Sequence, residues 1–165
     1  MSDTDTVYLY LASDSANRDV SFSGGTSNFR VMLSNPILDP LSADLVSAVF
    51  TYATYHTYEA PPKVVCVSSR ALGQNSITSS SSGERRWWRL LQTDAMTKSQ
   101  VSDPAQPHVV DLAYINPRIE HTPVLQPLLQ EIDIQLTDLN GVALGNLFPG
   151  GINVYLVVAV RVKRA

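Results

Sequence analysis

The densest group of chemically capable side chains in this chain is Arg85-Arg86-Trp87-Trp88-Arg89. Guanidinium groups interleaved with indoles can hold phosphates and stack bases. On an extended strand, however, Arg86, Trp88 and Leu90 share one face, while Arg85, Trp87, Arg89 and Leu91 share the other. The two indoles then point in opposite directions and build no single stacking platform. Trp and Arg are also enriched where subunits meet. The spacing therefore predicts structural packing and a subunit interface at Arg86, Trp87, Trp88 and Arg89, in preference to nucleic-acid contact. The other basic stretch, Arg161-Val162-Lys163-Arg164-Ala165, holds three charges and offers a polyanion a local tether at most.

The remaining reactive residues do not assemble into a site on paper. His56, His108 and His121 stand alone, with no His-x-His pair and no Glu at metal-ligand spacing. A divalent metal wants several imidazole and carboxylate ligands converging on it. Serines and aspartates abound, yet no Gly-x-Ser-x-Gly places a serine on a strained elbow for a Ser–His–Asp triad. Phosphate loops and dinucleotide fingerprints are missing too; Gly24-Gly25 lies in a polar turn, and Gly150-Gly151 introduces the final strand. Cys66, the single cysteine, lies in the apolar run Val64-Val65-Cys66-Val67 and reads as a buried, inert thiol. The sequence thus predicts no catalytic, cofactor-binding or metal-ligating residues, and no enzyme.

Composition agrees with a protein that works through its surfaces. The 165 residues suit one domain with a sizeable core, and 44% apolar against 16% charged residues is globular. So little charge leaves much of the surface neutral and small, as in a protein packed against neighbours. A net charge of −3 argues against a general phosphate-binding role. One cysteine forms no internal disulfide, no apolar run approaches the ~20 residues of a membrane helix, and the start Met1-Ser2-Asp3-Thr4-Asp5 is acidic. The expectation is a chain without a secretion signal or membrane span, used in a reducing, soluble compartment.

The elements that must position these residues are strands. Every even-numbered residue from Ile152 to Val162 is aliphatic, and Ile132, Ile134 and Leu136 alternate with polar neighbours. Period-two alternation requires an extended strand with one face on a core. Ten prolines punctuate the apolar runs, since proline cannot donate to a sheet ladder. Between those breaks the sequence predicts strands near 7–12, 28–33, 46–56, 63–68, 85–92, 108–113, 130–137 and 152–162. Eight short strands with irregular connections indicate a sandwich or jelly roll. Leu41, Leu45, Val46, Val49 and Phe50 also fit a helical stripe, with Ser42 as N-cap, whereas the β-branched and aromatic 51–58 favours a strand. A short helix over 41–45 running into a strand would satisfy both signals, and the strand is the preferred reading. The serine-rich stretch 74–83 reads as an exposed polar loop and mobile connector, and 94–107 as a second irregular loop.

Three segments together resemble the penton, or vertex, proteins of the double-jelly-roll virus lineage, which spans polinton-like viruses, virophages and relatives among the large DNA viruses. The first is Asn28-Phe29-Arg30-Val31-Met32-Leu33-Ser34-Asn35-Pro36-Ile37, and the second is Leu45-Val46-Ser47-Ala48-Val49-Phe50. The third is the tail, where Ile132 to Leu139 leads through Asn140-Gly141 to the strand at 152–162. Asp138 and Asn140 can bond their own backbone, and Gly141 accepts positive φ at no steric cost, so these three residues form the candidate structural turn. In a jelly roll the last two strands belong to opposite sheets, and a connection over 139–151 suits that crossing. The resemblance covers roughly a third of the chain and leaves 59–128 unmatched.

The resemblance implies an all-β chain of one domain over 1–165: a single jelly roll, an eight-stranded antiparallel β-sandwich. It further implies a homopentamer at the five-fold vertices of an icosahedral virion, surrounded by double-jelly-roll major capsid proteins. Nucleic-acid contact would be confined to the basic C-terminus. The competing reading is a jelly-roll binding module, lectin-like or a trimeric receptor-binding head, with the loops at 73–83 and 94–107 as its recognition surface.

Overall fold

The computed structural model describes residues 3–14, 27–52, 64–74, 76–80, 83–93, 108–114, 122–147 and 152–164. Within them the strands are β1 (Thr4–Ala12), β2 (Asn28–Leu38), β3 (Pro40–Tyr52), β4 (Val64–Ser68), β5 (Ser76–Ser80), β6 (Gly83–Trp87), β7 (Arg89–Thr93), β8 (His108–Tyr114), β9 (Thr122–Pro123), β10 (Leu128–Thr137) and β11 (Ile152–Lys163). One helical turn, α1 (Leu144–Leu147), lies between β10 and β11. The chain is all-β and antiparallel, consistent with a β-sandwich.

Alternation on β11 and β10 selects the inner faces. Ile152, Val154, Leu156, Val158 and Val160 are buried, as are Ile132, Ile134 and Leu136. They meet Leu11, Phe29, Val31, Phe50, Val65, Val67 and Leu91 in one core. Each such large aliphatic side chain contributes about 1.5–3 kcal/mol by leaving water. Pairing preserves the sidedness: Leu11 lies opposite Leu156, and Leu9 opposite Val158.

The pairings nest. β4 pairs with β7, β3 with β8, β2 with β10 and β1 with β11, so each pair encloses the one before it. The β11–β3 and β10–β4 pairings then link these nested pairs to one another. The strand path runs β1-β11-β3-β8-β7-β4-β10-β2, with β9 beside β3 and β5–β6 a separate two-stranded sheet. β8 is the joint, because His108–Asp111 pair with β3 and Leu112–Tyr114 pair with β7. β1, β11 and β3 thus lie in one half of the path, and β4, β10 and β2 in the other.

Three sequence expectations need correction. No helix forms over 41–45; β3 begins at Pro40 and pairs with β11 along its length. The register shifts where Val157 meets Ser47 and Val158 meets Leu45, which makes Val46 a bulge. Inward positions then fall at Ala43, Leu45, Ala48 and Phe50, so of the stripe residues only Leu45 and Phe50 face the core, while Leu41 and Val46 are exposed. The segment 85–92 is two strands, divided at Trp88. The serine-rich stretch is not merely a connector, since Ser76–Ser80 pair with Trp87–Gly83 as a hairpin. All eight expected segments carry strand, and β5 and β9 join them. The 94–107 loop, His56 and His121 lie outside the described residues.

Candidate contact surfaces

The Asp138 turn forms as its residue types predict. The Asp138 carboxylate Oδ1 accepts hydrogen bonds from the backbone N–H groups of Asn140 (2.8 Å) and Val142 (2.9 Å). The Asp138 N–H donates to the Val142 carbonyl at 2.9 Å, which closes the loop. Gly141 has φ of +82°, the left-handed region where a Cβ is strained. A Cβ at Gly141 would also overlap the Arg85 guanidinium, so the turn packs closely on β6. β10 and β11, which this connection joins, do not pair with each other and lie in different halves of the strand path.

The Arg–Trp cluster sits differently from a regular strand. Trp87, Trp88 and Arg89 are successive and all buried, because the chain bends at Trp88. The Trp88 N–H donates to the Val67 carbonyl at 2.8 Å, and its indole joins the main core. Trp87 is buried outside that core, and its indole N–H donates to Thr78 Oγ1 of the hairpin at 2.7 Å. Arg89 ties the two halves together: its guanidinium donates to the Trp88 carbonyl (2.8 Å) and, across to β3, the Ala43 carbonyl (3.0 Å). The same group lies 3.7 Å from the Asp44 carboxylate and 4.5 Å from the Trp88 ring centroid. Trp87, Trp88 and Arg89 thus spend nearly all their surface inside their own chain. Arg86 alone of the four is exposed, 3.8 Å from Glu84.

Cys66 lies between Val65 and Val67, which face the core, so it points to the outer side of β4. It is nevertheless buried, and loss of water around it is the main cause that pushes its thiol from 9.0 up to about 12. The Asp138 carboxylate raises it further, and Arg85 works in the opposite direction. The hairpin and the Asp138 turn therefore cover this part of the outer face.

Beside that cover lies a polar groove of about 550 Å³, whose lining includes Asn28, Arg30, Arg70, Glu131, Asp133 and Gln135. Glu131 pairs with Arg30 at 3.2 Å. Asp133 accepts the backbone N–H groups of Arg70 (3.0 Å) and Ala71 (3.1 Å), so it anchors the turn after β4. Both acids already hold partners, as does Arg30, and the groove offers mainly amides and the Arg70 side chain to a ligand.

Among the described residues, none forms such a cover over the outer face of β1, β11 and β3. Tyr8 and Tyr10 are 57% and 77% exposed, opposite Ala159 and Val157 of β11. The bulged Val46 is also exposed, at 58%. Tyr155 continues the face towards β1's end, where its hydroxyl donates to Asp14 at 3.0 Å. A second apolar group sits at the corner where β2 turns into β3. Leu38 pairs with Leu128, the Val124 N–H donates to the Leu41 carbonyl, and Leu125 projects nearby at 92% exposure. Neither tyrosine nor leucine group was singled out from the sequence.

No group of three or more His, Cys, Asp or Glu side chains among the described residues could hold a metal ion. No helix among the described residues is long and apolar enough to cross a membrane. No protein-family model matches the chain, and no curated protein matches it as a relative.

Proposed function

We propose that this chain is a single jelly roll that assembles as a homopentamer and occupies the five-fold vertices of an icosahedral capsid. The observation that carries the reading is the nested pairing of β1–β11, β2–β10, β3–β8 and β4–β7. Taking these eight as the framework, the two halves of the path run 1-8-3-6 and 2-7-4-5, the order of a rolled-up antiparallel ribbon. β5–β6 is then an insertion at the ribbon's tip, and β9 a short addition beside β3. The resemblance to vertex proteins rests on strands and a turn that lie in this framework: β2, β3, β10, the Asp138 turn and β11. Neighbouring double-jelly-roll capsid proteins are the partners, and the virion is the destination. The work is structural, done by surfaces that other subunits cover, without catalysis or cofactor.

The polar groove favours a second reading, a jelly-roll binding module, lectin-like or a trimeric receptor-binding head. Native mass spectrometry over a range of concentrations separates the two. Five chains per particle is the expected result. A stable trimer would move the protein to the binding-head class, and a monomer at every concentration would overturn self-assembly.

A further inference from the structure

We propose that the subunits of this assembly join head to tail, with the Tyr8–Tyr10 face of one copy packed on the Leu38–Leu41–Leu125–Leu128 corner of the next. The inference rests on the pentamer reading and names the contact that would build it. A ring with an odd number of subunits cannot be made from one self-complementary patch, because such a patch pairs copies about a two-fold axis. It requires two unlike patches on every copy. Among the exposed apolar side chains of the described residues, the two groups with the most exposed members differ in chemistry, one aromatic and on a sheet face, the other aliphatic and at a corner; Ile77, Leu139 and Val142 are exposed elsewhere.

The occupant of each patch follows from the other. At roughly 200 Å² for a tyrosine, the exposed parts of Tyr8 and Tyr10 supply on the order of 250 Å². That is about a third of the ~800 Å² each partner contributes to a standard interface, before Val46, Val157 and Tyr155 are added. Tyrosine brings large area at little entropic cost and a hydroxyl for the rim. The corner carries the exposed Asp39 between Leu38 and Leu41, and the partly exposed Asp44 beside Ala159 on the sheet face is held by Arg89. The Asp39 carboxylate is therefore the one charge a neighbouring copy must match or leave in solvent. The nearby charges of β1 are engaged within the chain: Arg164 pairs with Asp5 at 2.9 Å and Arg161 donates to Thr4 at 3.0 Å. A second copy of this chain therefore finds on its neighbour the surface that its own patch lacks.

The test uses two double variants of the full chain, Tyr8→Lys/Tyr10→Lys and Leu38→Lys/Leu125→Lys. All four residues are exposed, and circular dichroism with thermal melting verifies folding; Ser replacements serve if either Lys variant unfolds. Native mass spectrometry is then run on wild type, on each variant and on an equimolar mixture. Wild type is expected to give the five-chain ring, and each variant alone to give monomer. The mixture should give a two-chain species with one copy of each variant, since it retains one intact contact. Folded variants that remain pentameric would overturn this contact while leaving the vertex reading in place. Monomeric variants whose mixture stays monomeric would overturn the head-to-tail pairing. A wild-type monomer would overturn the vertex reading and the contact together.

Discussion

The outer faces of the two halves follow the same period-two rule but end in opposite states. Over β4 and the end of β10 the chain covers itself: the β5–β6 hairpin and the Asp138 turn shield Cys66, and beyond them lies a groove lined with charges and amides. Over β1, β11 and β3 the outer face displays Tyr8, Tyr10 and Val46 to solvent. In the proposed assembly the bare sheet is the one that a neighbouring copy covers. The Arg–Trp cluster, which by composition looks like an interface, belongs to the self-covered half.

This contrast can be broken by experiment, and the largest expected effect comes from the inner side of the bare sheet. Leu156→Asp places an unpaired carboxylate in the core beside Leu11, and it should yield no folded protein. The adjacent Val157→Thr, on the outer side, should stay folded by circular dichroism. Equal tolerance of both would mean that β11 has no inside and no outside.

Arg89→Ala comes next. It deletes the buried guanidinium that joins β7 to the Ala43 carbonyl and Asp44 on β3. A loss of about 2–4 kcal/mol is expected in urea unfolding, because the Trp88 and Ala43 carbonyls lose a charged donor and the partly exposed Asp44 its ion partner. Arg89→Lys should restore little of this, as an ammonium cannot reproduce the planar fork. A near-neutral Arg89→Ala would show that the halves hold without the tie.

The cover over Cys66 predicts an alkaline weakness. Below pH about 9 both folded and unfolded chains keep the thiol proton, and this contribution to stability is complete. Between about 9 and about 12 the unfolded chain releases the proton while the folded chain retains it, so stability falls with rising pH. The slope is at most ~1.4 kcal/mol per pH unit. Cys66→Ala should remove that component, so the difference between the two pH profiles is the quantity to measure. Superimposable profiles would mean that the hairpin does not shield the thiol.

The smallest effects lie in the groove. Asp133→Ala should cost about 1–2 kcal/mol, because two backbone N–H groups of the turn lose their acceptor. Glu131→Ala should change stability by less than ~1 kcal/mol, since its pair with Arg30 is partly solvated. A larger cost for Glu131 would make the groove a structural element and weaken its reading as a ligand surface.

Where side-chain character alternates, the strands were legible in the chain itself. β11 and the second half of β10 have polar and apolar sides, and the buried residues are the aliphatic ones that alternation selects. The Asp138 carboxylate and Gly141 parts of the turn were readable too, because their bonds and φ are local, whereas Asn140 supplies only its backbone N–H. Alternation was silent on β1, where Val7, Tyr8, Leu9, Tyr10 and Leu11 give two apolar sides, so the tyrosine face could not be told from a core face. On β3 the bulge at Val46 broke the period, and the helical stripe read there mixed inward Leu45 and Phe50 with exposed Leu41 and Val46.

The sequence by itself therefore determined an all-β chain, the core faces of its alternating strands and a turn built from neighbouring residues. These follow from interactions within a few residues or from hydrophobic period. Only the tertiary structure decided that Trp87, Trp88 and Arg89 are interior, that Cys66 lies under a hairpin and that the tyrosines remain bare. Each of those depends on which distant segment covers a face, and no local pattern encodes a partner many residues away.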